Sequence, residues 1–110
     1  MTLAEFERHV FAVALDSSIC GVPLVRALTP TSINLRVDVA TGGFVDVFYN
    51  ERSGTTSYTL IREDQRVFGA ENTGGWHRHP FDSPERHEPL AAAMSFAEFV
   101  AEVEQGRAPM

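Results

Sequence analysis

Residues 74 to 88 read Gly-Gly-Trp-His-Arg-His-Pro-Phe-Asp-Ser-Pro-Glu-Arg-His-Glu and hold three of the four histidines of the chain, His77, His79 and His87, within eleven positions. Imidazole moves protons near neutral pH and also ligates transition metals, so such a cluster points to two kinds of chemistry. In the first, one histidine takes a proton, another returns one, and an arginine holds a phosphate. Those are the roles that RNA self-cleavage requires: activating the 2′-hydroxyl, protonating the departing 5′-oxygen and stabilising charge on phosphorus. In the second, the H-x-H pair and the third histidine hold zinc or nickel and leave one coordination position for water. A structural role competes with both, since histidines at a strand end often only hydrogen-bond to backbone. The acid/base reading is preferred and takes no cofactor; zinc on His77, His79 and His87 is its alternative.

Either chemistry depends on how the segment is held. Thr73-Gly74-Gly75 closes a strand, and the short segment Trp76 to His79 is stopped by Pro80, which pushes the residue before it toward extended geometry. An extended Trp76 to His79 sends His77 and His79 to one side, about 7 Å apart along the chain, and Trp76 and Arg78 to the other. The Phe81 to Arg86 loop is long enough to bring His87 back to them.

The elements upstream are marked by period. Thr2 and Glu5 form the S/T-x-x-E capping box, and Leu3, Phe6, Val10 and Val13 make one apolar stripe, which predicts a helix over 2–15. Ser95 and Glu98 repeat the box before Phe96, Phe99, Val100 and Val103, and Gly106 ends that second helix. Between them Ser32 to Val39 alternates as a strand does. Phe44 to Tyr49, Thr55 to Arg62 and Arg66 to Asn72 follow, separated by the turns Thr41-Gly42-Gly43, Asn50 to Gly54 and Glu63-Asp64-Gln65. Gly21 to Leu28 adds an edge strand, with Pro23 suited to an edge. The expectation is a single α+β domain over 1–110: an antiparallel meander of four to five strands, flanked by an N-terminal and a C-terminal helix on one face.

Composition sets outer limits. The chain has 110 residues, a net charge of −6, nine arginines, no lysine and one cysteine, Cys20. An acidic chain repels nucleic acid at long range, yet between Asn50 and His87 five arginines stand against six acids, so that stretch is close to neutral. A single cysteine offers neither an internal disulfide nor a CxxC pattern. No run of residues approaches the roughly 20 apolar positions needed to cross a bilayer, and the N-terminus enters a helix directly; the expectation is a soluble cytoplasmic protein without membrane contact.

The ordered series Tyr49-Asn-Glu-Arg52, Glu71-Asn72, Trp76-His-Arg-His-Pro80 and His87 resembles the TumE-type toxins of toxin–antitoxin systems, over about residues 32 to 103. The resemblance implies a small toxin acting on RNA and neutralised by a cognate antitoxin; a homodimer is compatible with it. Two features depart from that pattern: Glu71 stands where an aspartate is expected, and RNA-cutting toxins are commonly basic. His77, His79, His87, Arg52 and Glu71 are the catalytic candidates, with Arg52 ranked above Arg78 as phosphate clamp. Tyr49, Asn50, Arg66, Asn72, Trp76 and Arg78 are the substrate-contact candidates. Each has a plainer reading: Asn50 to Gly54 is ordinary turn chemistry, Arg66 a surface ion pair, Trp76 a core residue. The alternative function is a noncatalytic protein-binding module whose histidine cluster is structural or binds metal.

Overall fold

Both capping boxes form. In the computed structural model, which describes residues 1–106, helix α1 spans Leu3–Asp16 and helix α2 spans Phe96–Gly106. At α1 the Thr2 amide donates to Glu5 at 2.8 Å and the Glu5 amide to the Thr2 hydroxyl at 3.1 Å. Ser95 and Glu98 reproduce both distances at α2. Each box satisfies two of the amides that the first helical turn leaves open.

Seven strands lie between the helices in one antiparallel sheet, in chain order: β1 Leu24–Leu28, β2 Ser32–Asp38, β3 Phe44–Asn50, β4 Thr56–Arg62, β5 Gln65–Glu71, β6 His77–His79 and β7 Glu88–Pro89. The α+β class and the flanking helices are as expected, but the strand count exceeds the expected four to five. The extended segment around His77 becomes β6 by pairing with β5, and the two residues of β7 pair with β6. Neither is long enough to show a period in the sequence. The β2–β3 turn requires a glycine: Gly43 has φ +81°, and a side chain there would strike the Ile61 carbonyl.

Alternation gives the sheet two unlike faces. Ile33, Leu35, Val37, Val45, Val47, Tyr49, Tyr58, Leu60, Phe68 and Ala70 point to one face and are buried. The helices pack there through Phe6, Val10 and Ala14 of α1 and Phe96, Phe99, Val100 and Val103 of α2. Aromatic pairs tie the layers: Phe6 stacks on Tyr49 at 4.4 Å, and Tyr58 lies 5.7 Å from Phe96 and 5.3 Å from Phe99. The opposite face carries Asn34, Arg36, Asp46, Phe48, Ser57 and Thr59, all half-buried. No helix lies over that face among the described residues. None of the helices is long and apolar enough to cross a membrane.

Candidate functional site

Register decides what faces the histidines. In β6, Arg78 pairs with Ala70, a core-face residue, so Trp76 and Arg78 turn toward the helices. His77 pairs with Glu71 and His79 with Gly69, which sends both imidazoles to the uncovered face. β7 pairs Glu88 with Arg78, so the preceding residue, His87, joins the histidine side. The ring centroids are 5.1 Å apart for His77 and His79, 4.8 Å for His77 and His87, and 4.6 Å for His79 and His87. One ring nitrogen from each lies within 4.8 Å of the others.

The hydrogen bonds orient these rings. His77 Nδ1 donates to the Gly75 carbonyl at 2.9 Å, and His79 Nδ1 donates to the Pro84 carbonyl at 3.0 Å. A carbonyl only accepts, so Nδ1 carries the proton in both and Nε2 is the free end. His79 Nε2 lies 3.1 Å from Glu71 Oε2, and His77 Nε2 lies 3.7 Å from the same oxygen. The His77 Nε2 atom is buried and has no hydrogen-bond partner. His87 is exposed and, among the described residues, is held by ring packing alone.

Glu71 is the fourth member. Burial alone would raise its carboxyl pKa. Hydrogen bonding from His79 and Thr73 and the electrostatic influence of the neighbouring His77 and His79 rings outweigh that, and the net shift is downward. A carboxylate only accepts, and the His79 proton is already placed on Nδ1, so the contact with Nε2 needs either a second proton on His79 or a cation shared between them. Tetrahedral zinc with bonds of about 2.0 Å has donor atoms about 3.3 Å apart. The two glutamate–imidazole separations bracket that edge.

Burial separates the two chemistries. His79 is 2% exposed, with the 80–87 loop over it, so it has little room to exchange protons with a substrate. A ligand needs no such access. The pattern also matches how proteins hold metal-binding imidazoles, with the far nitrogen fixed on a backbone carbonyl.

The other candidates fall into two groups. Arg66 comes to the cluster: its Cδ and the His79 Cδ2 both lie within 4 Å of the point where a Cβ on Gly69 would sit. The rest are engaged elsewhere. Tyr49 is buried and its hydroxyl donates to the Met1 carbonyl at 2.6 Å. Asn50 accepts the Arg52 and Ser53 amides and so shapes its own turn. Asn72 bridges that turn to β5, accepting from the Thr56 amide and donating to the Gly54 carbonyl at 2.8 Å each. Trp76 packs near Tyr58 on the helix side. Arg78 pairs there with Glu88, at 2.7 Å, and with Glu102 of α2. Arg52 sits exposed on the β3–β4 turn, with no hydrogen bond or ion pair joining its side chain to the cluster. Sequence reasoning missed Gly69 and the carbonyls of Gly75 and Pro84. Gly69 carried a signal, since a glycine inside a strand marks a close approach; backbone carbonyls carry none.

Clefts of about 660, 400 and 300 Å³ lie away from the cluster, on the helix side; the smallest of these is lined by Phe6, His9, Tyr49, Tyr58 and Trp76. Compared with family models, with curated proteins and with solved structures, the chain gives no match in any of the three.

Proposed function

We propose that the chain is a metal-binding protein whose centre is made of His77, His79, His87 and Glu71. The observation that carries this reading is the pair of carbonyl-held Nδ1 atoms, which frees two Nε2 atoms toward one carboxylate while leaving the His77 Nε2 without a partner. Imidazole-rich sets suit zinc, nickel, iron and copper. Zinc closes a tetrahedral shell on four donors; an ion with six positions keeps two for water or substrate, where a Lewis acid activates hydrolysis. The test is metal analysis of protein exposed to zinc or nickel and then freed of excess. About one ion per chain is expected, lost when His77 and His79 are replaced together by alanine. A chain that retains no ion, and whose melting temperature neither zinc nor a chelator moves, refutes the reading.

A wider proposal rests on the resemblance: that this centre is the working part of a toxin-like ribonuclease neutralised by a cognate antitoxin. Its support is the position of the cluster on the uncovered face, where an RNA strand or a covering protein can reach His87. Growth inhibition and RNA cleavage that vanish with H77A/H79A in a folded chain are the expected results. Stoichiometric metal without cleavage gives the noncatalytic binding module instead.

A further inference from the structure

We infer that Arg66 and the histidine–glutamate cluster together hold a phosphoryl group, an inference that rests on the metal reading above and names the ligand class of the same site. Arg66 pairs with Ile61 across the β4–β5 ladder and therefore stands on the uncovered face, like His79. Its guanidinium has no ion pair or hydrogen bond to any side chain among the described residues, whereas Arg36, Arg78 and Arg86 all have carboxylate partners. The Arg66 stem and the His79 ring both approach the space that Gly69 leaves empty; an added Cβ would sit 3.2 Å from the Tyr58 carbonyl, 3.6 Å from Arg66 Cδ and 3.7 Å from His79 Cδ2. The hydroxyl of Thr59 belongs to the same row, because Thr59 pairs with Gly69 and Gly69 with His79.

Charge and shape select the ligand. Three neutral imidazoles, one carboxylate and a divalent ion sum to a single positive charge, and Arg66 adds another beside it. Two adjacent positive centres complement a dianion. The guanidinium fork binds two oxygens of a carboxylate or a phosphate side by side. A carboxylate has then no oxygen left, while a tetrahedral phosphoryl group still offers one to the ion. A phosphoryl group can therefore bridge both centres at once.

The test uses the full chain loaded with one equivalent of nickel, whose six positions leave two open beyond the four protein donors, titrated calorimetrically with inorganic phosphate, uridine 5′-monophosphate and acetate. Phosphate is expected to bind at least about tenfold more tightly than acetate, and R66A to weaken phosphate by about tenfold or more with nickel stoichiometry unchanged. R66K should fall between the two, keeping the charge but not the fork. Monophosphate binding more tightly than phosphate assigns the site to phosphate esters; the reverse assigns it to the free ion. Equal phosphate affinity in R66A and the parent, or acetate binding as well as phosphate, overturns the inference while leaving the metal centre standing. Failure to take up nickel is seen before any anion is added and removes this inference; failure with zinc as well removes the metal reading.

Discussion

On the face beneath the helices, the residues of the central strands are packed in carbon: Leu35, Val37, Val47 and Leu60 are wholly buried, and Phe96 and Phe99 close over them. On the other face the neighbours of a strand residue are hydroxyls, amides, carboxylates and imidazoles. β6 shows the contrast within three residues, with Arg78 tied to Glu88 and Glu102 on the helix side and His77 and His79 meeting Glu71 on the other. The first face supplies stability through area removed from water; the second is free to spend its residues on chemistry. Substitutions should separate these two roles.

The largest effect belongs to the covered face. Phe99→Ala removes a wholly buried ring that packs on both Tyr58 and Phe68. It should cost about 3–5 kcal/mol in denaturant unfolding. Any metal affinity lost with it should track the unfolded fraction. Next comes His77→Ala, which should lower zinc affinity by about 100-fold or more and cost the metal-free chain only about 1 kcal/mol, since it loses one hydrogen bond, to the Gly75 carbonyl, and a buried Nε2 that has no partner. A large drop in metal-free stability instead would show that the cluster belongs to the core.

Arg78→Met should cost about 1 kcal/mol, because its ion pairs are partly solvated, and should leave zinc binding alone because the side chain is on the helix side. Loss of zinc binding in that variant would erase the distinction between the faces. The smallest effect concerns pH. Hydrogen bonds from Thr2 and Ser95, to backbone first, hold the Glu5 and Glu98 carboxyls below their usual range. A depressed folded-state value means that each carboxylate contributes stability above its unfolded pKa and loses it as pH falls through the lower folded value. Replacing both by glutamine should therefore flatten the acid limb of the stability curve slightly, with little change in zinc uptake near neutral pH.

How much of this could be read in the sequence depends on how long each signal runs. Both capping boxes, the alternation of Ser32 to Val39 and the turns between the long strands are local and repeated, and each corresponds to an element of the fold. The opposed directions of His77 and Arg78 were legible because Pro80 favours extended backbone in the residue before it. β7 was not, since Glu88 and Pro89 form a strand only by pairing with a segment ten residues earlier. Long-range hydrogen bonds also decide the fate of Tyr49 and Asn72: each looks like a substrate contact in sequence, and each is committed to holding a terminus or a turn. Arg66 reached the cluster through Gly69, a dependence visible only in register.

The brevity of β6 and β7, three residues and two, has a consequence for assembly of the molecule. So few rungs make this margin the first part of the sheet to fray, and the 80–87 loop lifts with it. An ion gripped by His77 and His79 on one strand, His87 at the start of the next and Glu71 on β5 would act as a clasp across three strands. Amide exchange in residues 77–89 should then slow when metal is added, while the central strands keep their rates.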